Sequence, residues 1–273
     1  MIIISISFIQ SRSLGQSTKN PNSIYIWGDS QLYQGVNVSQ LSNITKKEVF
    51  SLAQHGSGVY DLMVFSNRVP KGSTVLMQIP KGAQKRALSL DRNDSGLNLF
   101  AFKILWENNY SISDLFSIFR KNIFTYPKFN TYSDSWAYHE EIQDNAHKKL
   151  IFESYHNIPS LIFDKQNIIL IAISTLLSKN CKILLIEIPF NSVLDELEKH
   201  SKLKNIYNIF QKRMIEELSL TNIDSIYLNN EDNIFYDLTH LNVLGNKMLT
   251  DSLAISLNNL KELEYIKFKK IKN

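Results

Sequence analysis

The sequence predicts an α/β fold: a three-layer α/β/α sandwich with a mainly parallel central sheet and helices on both faces. Three observations carry this expectation. Short apolar β-forming runs alternate with helical patterns through most of the 273 residues. Runs such as "KILLIEIPF" are apolar almost without interruption, as expected of strands covered on both faces. The composition, 44% hydrophobic and 21% charged, is that of a globular chain able to bury a sizeable core without staples.

The elements follow in chain order. "IYIW" (Ile24–Trp27) reads as a buried strand that breaks at Gly28 and delivers Asp29, Ser30 and Gln31. "QLYQGVNVSQLSNI" follows, then "KEVFSLAQHGSG", a short apolar segment ending in glycines. "YDLMVFSNRV" reads as a helix, and Pro70, Lys71 and Gly72 as a turn. "STVLMQIP" is a strand stopped by Pro80. Residues 81–160 form an irregular insertion with patches of helix such as "SISDLFSIFRKN". "FDKQNIILIAISTLLSKN" is a helix, "CKILLIEIPF" the most buried strand, and "VLDELEKHSKLKNIYNIFQKRMIEELS" a further helix. "IDSIYLNN" is expected to be the last strand, and "LNVLGNKMLTDSLAISLNNL" the closing helix. The domain is expected over 21–260, and residues 261–273, with the lysines of "YIKFKKIKN", as a solvated basic tail.

The N-terminal segment has two readings. "MIIISISFI" is far short of the ~20 apolar residues of a membrane span. It fits the core of a secretion signal or anchor, with residues 1–20 as remnant and linker, but has no positive n-region; or it is a buried first strand. The first reading puts the protein in the cell envelope or outside the cell, the second leaves the cytoplasm open. A net charge of +4 does not call for nucleic acid as a partner. The single cysteine, Cys181, excludes an intrachain disulfide and a cysteine zinc cluster, and reads as a buried or strand-edge thiol.

A serine set on a glycine turn after a strand is a nucleophile only if the chain supplies a base, because an isolated hydroxyl is a poor nucleophile near neutral pH. In "FYDLTHLNVLG", Asp237 and His240 are spaced so that one turn projects both toward one spot. The carboxylate can fix the imidazole tautomer, and the imidazole can take the serine proton. The plainer alternative is Asp237 as a helix cap.

"GDSQ" (Gly28–Gln31) near the start and "DLTHLNVLG" (Asp237–Gly245) near the end together resemble the first and last sequence blocks of the SGNH/GDSL hydrolase superfamily. The resemblance spans residues 24 to 257, with a poorly matched middle. It implies the flavodoxin-like sandwich of that family and a triad of Ser30, His240 and Asp237 that needs no cofactor or metal. It further implies an oxyanion hole built from the backbone N–H groups of Ser30 and Gly58, with Gly56 the weaker choice in "AQHGSGVYD". The family's third block is altered here. Asn93 in "RND" is the nearest match for its asparagine donor but lies 13 residues past Pro80, and Gln78 at the strand end is the alternative.

The expected function is that of a serine-dependent esterase removing O-acetyl groups from a carbohydrate. The resemblance extends to members that edit O-acetyl groups on bacterial polysaccharides, which implies a small acyl ester or O-acylated carbohydrate as substrate and a membrane-bound acyltransferase as partner. Two rivals stay open: an O-acetyltransferase using the same acyl-enzyme, and an inactive glycan-binding domain on the same fold. A lipase of the other common α/β-hydrolase type is disfavoured, since no Gly-x-Ser-x-Gly surrounds Ser30. Around this core, His55, Gln31 and Tyr33 are candidates for lining the pocket or for packing. Lys81, Lys85 and Arg86 would attract an anionic glycan or simply be solvated. His139, Glu140, Glu141 and His147 form a metal-like cluster that a solvated helix explains better.

Overall fold

The structure, a computed structural model, describes residues 20–53, 59–79, 166–194, 202–220, 223–228 and 232–270. They form an α/β fold around a six-stranded, all-parallel sheet. The strands are β1 (Ile24–Trp27), β2 (Val49–Ser51), β3 (Thr74–Gln78), β4 (Lys182–Glu187), β5 (Asp224–Leu228) and β6 (Leu263–Lys270), in the spatial order β2-β1-β3-β4-β6-β5. The helices are α1 (Ser30–Gly35), α2 (Val38–Thr45), α3 (Val59–Arg68), α4 (Gln166–Ser178), α5 (Lys202–Glu217) and α6 (Val243–Asn259).

The apolar runs behave as a doubly covered sheet requires. β1 and β3 are buried at every position, and β4 at all but its first. Successive side chains of a strand point to opposite faces, so each strand feeds two cores. Tyr25, Trp27, Val75, Met77, Ile183 and Leu185 pack with Leu62 and Phe65 of α3, Ile173 and Leu176 of α4, and Met214 of α5. On the other face Ile24, Ile26, Leu76, Leu184 and Ile186 pack with Leu32 of α1, Leu41 of α2, and Leu249 and Leu253 of α6. This two-faced covering is compatible with a three-layer α/β/α sandwich.

Which helix covers which face follows from the strand order. Crossovers between parallel strands are right-handed, so reversing the direction of travel along the sheet reverses the face. The steps β2→β3, β3→β4 and β4→β5 run one way and carry α3, α4 and α5 on one face. The steps β1→β2 and β5→β6 run the other way and carry α1, α2 and α6 on the opposite face. The fold therefore brings the N-terminal helix pair and the last helix together, although they are distant in sequence.

The sequence reading of the C-terminal region is corrected. Residues 263–270 are not a solvated tail. They form β6, inserted between β4 and β5 and paired with both, so the domain extends past 260 and "IDSIYLNN" is the sheet's outer strand and not its last. Tyr265, Ile266 and Phe268 are buried there, and Lys267 is accommodated by Gln211 Oε1 at 2.8 Å and Glu187 at 3.7 Å. The segment after Ser30 forms two helices, α1 and α2, and Asn37 caps α2 through its own side chain. Cys181 is buried directly before β4, as its apolar context implies, and burial pushes its thiol up. Among the described residues no helix is long and apolar enough to cross a membrane. The N-terminal segment and the 81–160 insertion lie outside the described residues.

Candidate active site

Ser30 leaves the sheet where the chain direction reverses. From β1 the chain goes outward to β2, then returns to β3 on β1's other side. At such a switch point the loops diverge and leave a crevice at the carboxyl ends of the strands. Trp27 pairs with Met77, so Gln78 ends β3 level with Gly28. A Cβ on Gly28 would lie 2.7 Å from Gln78 Oε1 and from Leu32, so only glycine lets the chain turn this tightly against β3 and α1. Asp29 then caps α1, its carboxylate accepting the Gln31 N–H at 2.9 Å. Ser30 occupies the first position of the helix and is half-buried.

The histidine comes from an irregular loop between β5 and α6. A bridge between Phe235 and Leu241 closes it, and the Tyr236 N–H donates to the His240 carbonyl at 2.8 Å. Within it, Asp237 Oδ1 accepts the N–H groups of Thr239 and His240, both at 2.7 Å. The loop is thus wound around its own carboxylate. The second oxygen, Oδ2, lies 2.7 Å from His240 Nδ1. Asp237 is not the cap of α6; that cap is Asn242, which accepts the Gly245 N–H at 3.1 Å. Gly245 has a steric reason of its own: a Cβ there would lie 2.3 Å from the Ile234 carbonyl oxygen.

The two segments meet. His240 Nε2 lies 2.9 Å from Ser30 Oγ, on the opposite side of the ring from Asp237. With Asp237 accepting at Nδ1–H, the unprotonated Nε2 faces the serine hydroxyl, which is the tautomer a base needs. Asp237 is buried, whereas the His240 side chain keeps 18% of its surface. Burial is the strongest influence on the Asp237 carboxyl and pushes it up. The His240 imidazole and the Thr239 and His240 amides together outweigh it and hold the carboxyl below its ordinary value of 3.8. Asp237 is therefore ionised near neutral pH.

The remaining sequence candidates divide. Tyr33 packs against the core on the α6 face. Gln31 is buried under the turn, where its amide donates to the Thr239 carbonyl at 2.8 Å. Gln78 uses both ends of its amide: Oε1 accepts the Asp29 N–H at 3.1 Å, and Nε2 donates to Gln31 Oε1 at 3.0 Å. His55, Gly56, Gly58, Lys81, Lys85, Arg86, Asn93, His139, Glu140, Glu141 and His147 lie outside the described residues. Among the described residues, no group of acidic, histidine and cysteine side chains is arranged to hold a metal ion.

Three contributors were not singled out from sequence. Thr239 touches both Asp237 and the His240 ring through its hydroxyl, at 3.1 and 3.0 Å. Asn246 of α6 donates to the Gln34 carbonyl of α1 at 2.8 Å, and Thr250 accepts the Asn37 N–H at 3.0 Å. For Asn246 and Thr250 the available signal was a polar residue at positions of α6 whose neighbours on the same face are apolar. The chain matches no family model and no curated protein.

Proposed function

We propose that the protein is a serine-dependent acyl-ester hydrolase of the SGNH kind, on a three-layer α/β/α sandwich, acting on O-acetylated carbohydrate. The observation that carries this reading is the 2.9 Å approach of His240 Nε2 to Ser30 Oγ, with Asp237 2.7 Å from the far side of the same ring. In this reading Ser30 Oγ attacks the ester carbonyl as His240 takes its proton. Asp237 orients the imidazole and stabilises the imidazolium that forms. His240 then protonates the leaving alcohol, and water, activated by the same imidazole, releases the acyl group and regenerates Ser30. The alignment favours an enzyme over a binding domain, since a glycan-binding surface has no use for a histidine held in the basic tautomer against a serine.

The Ser30 N–H, in the first turn of α1, suits the role of oxyanion donor, and α3 begins directly after Gly58, the second expected donor. Gln78 is buried and its amide is aimed at Asp29 and Gln31, which favours Asn93 as the side-chain donor. Losing one such donor typically costs about 10²–10³ in kcat. The test is hydrolysis of p-nitrophenyl acetate, together with labelling by a fluorophosphonate and intact-mass measurement. A single adduct mapping to Ser30 is expected, and Ser30→Ala should abolish both signals with unchanged circular dichroism. Wild-type turnover in Ser30→Ala would overturn the assignment.

A further inference from the structure

Beneath the Ser30–His240 contact runs a line of buried amides. Gln31 is 3% exposed and Gln78 1%. The Asp29 N–H donates to Gln78 Oε1, Gln78 Nε2 donates to Gln31 Oε1, and Gln31 Nε2 donates to the Thr239 carbonyl, at 3.1, 3.0 and 2.8 Å. Every station except Gln78, which ends β3, adjoins a reacting residue. Asp29 and Gln31 flank Ser30, and Thr239 precedes His240.

The polarity of this line is set by its ends. A backbone N–H can only donate, so Gln78 must present its oxygen to Asp29 and its nitrogen to Gln31. Gln31 must then present its oxygen to Gln78 and its nitrogen to Thr239, where a backbone carbonyl can only accept. Both amide orientations follow without choice. Burying an amide is unfavourable unless it is hydrogen-bonded, and here both buried amides are bonded at both ends. Replacement by leucine deletes the link. Replacement by ionised glutamate keeps the shape but turns an acceptor onto an acceptor.

We infer that Gln31 and Gln78 are positioning residues: a neutral amide strut, anchored on the end of β3, that sets the separation between the serine turn and the histidine loop. Gly28 admits it, because Gln78 Oε1 occupies the space a Cβ would need. The strut explains why this chain carries glutamine directly after Ser30. It explains too why a polar residue ends the apolar strand "TVLMQ". The inference rests on the proposed roles of Ser30 and His240, but its geometric content can be read without activity.

The experiment combines kinetics with nuclear magnetic resonance of the histidine ring nitrogens in the full chain. Gln31→Leu and Gln78→Leu should lower kcat on the acetyl ester by about 10- to 100-fold, the scale of a displacement of roughly 1 Å, with KM within about twofold. The double variant should be little worse than either. Gln31→Glu should gain on Gln31→Leu as pH falls, because a protonated carboxyl donates and accepts as an amide does. In the wild-type background Ser30→Ala should shift the His240 ring signals. In the Gln31→Leu background, where contact is lost, it should not. If Gln31→Leu does not fold, Gln31→Glu, of the same shape, takes its place in the resonance comparison. A wild-type chain that neither hydrolyses nor labels would refute the esterase reading, and the resonance comparison would then decide the strut alone. Wild-type kcat in the folded Gln31 variants, or the same Ser30→Ala shift in both backgrounds, would overturn it.

Discussion

The serine turn and the histidine loop face each other across 2.9 Å, yet they are built on different principles. The turn is short and inherits its shape from regular structure on both sides: β1 before it, α1 after it, and a glycine between them that clears Gln78 and Leu32. Ser30 contributes nothing to that scaffolding among its described contacts except its place in the helix. The loop has a single 3₁₀ turn (Asp232–Ile234) before it and no regular structure through His240. It is held by its own side chains, chiefly Asp237, whose two oxygens are divided between the backbone and the imidazole. Where secondary structure supplies the geometry, the functional side chain is free to do one thing. Where it does not, the functional side chain is also the scaffold.

The strongest way to probe the comparison is to remove the two partners that meet. Ser30→Ala and His240→Ala should each lower kcat by about 10⁴-fold or more, and the double variant should be little worse than either, since groups acting as one unit are non-additive. Thermal melts should change little for Ser30→Ala. Losses that multiply would separate the two residues functionally.

Asp237 offers the sharpest contrast. Asp237→Asn keeps an oxygen for the Thr239 and His240 N–H groups but places an amide against His240 Nδ1, favouring the wrong tautomer. It should cost about 10³–10⁴ in kcat with a melting temperature near wild type. Asp237→Ala should lose activity similarly and lower the melting temperature as well, because the loop loses its internal acceptor. Equal melting temperatures for the two variants would contradict the double role.

Gly245→Ala tests the loop's anchorage on α6. The added Cβ meets the Ile234 backbone carbonyl at 2.3 Å, so the helix or the 3₁₀ turn must move. A loss of about 2 kcal/mol or more in denaturant unfolding is expected, with kcat reduced in the folded fraction. On the other side, Asp29→Ala removes the cap of α1 and should cost about 1 kcal/mol, and Asp29→Asn should restore most of it. If Asp29→Ala proves the more damaging, the turn depends on side-chain scaffolding after all.

The smallest effect is in pH. The folded Asp237 carboxyl stands below its ordinary 3.8, so the unfolded chain binds the proton more readily. The stabilisation from this group is complete above that value and is lost as pH falls through the lower folded value. The stability difference between wild type and Asp237→Asn should therefore be flat at neutral pH and should shrink only in the acid range below 3.8. Denaturant melts across that range check it. A difference that grows on acidification would reverse the sign.

What the sequence alone determined is whatever short-range chemistry specifies. A short apolar run such as "KILLIE", rich in isoleucine and stopped by Pro189, reads as a strand buried on both sides, and Asp237 and His240 are close enough in the chain to meet within one turn. Gly28 announces a break that any strand would make. Tertiary structure alone decided the rest, because the partners are far apart. "YIKFKK" reads as a soluble tail because a lysine in a central strand is costly unless paired. Its pairing groups, Glu187 and Gln211, lie on β4 and α5. Gln31 and Gln78 look like a pocket residue and an oxyanion donor until the register of β1 with β3 brings Gln78 level with Gly28, where its amide reaches that of Gln31 at the start of α1. The 2.9 Å contact itself depends on α6 returning to the face of α1, a consequence of the direction in which the chain crosses the sheet and of no local pattern in it.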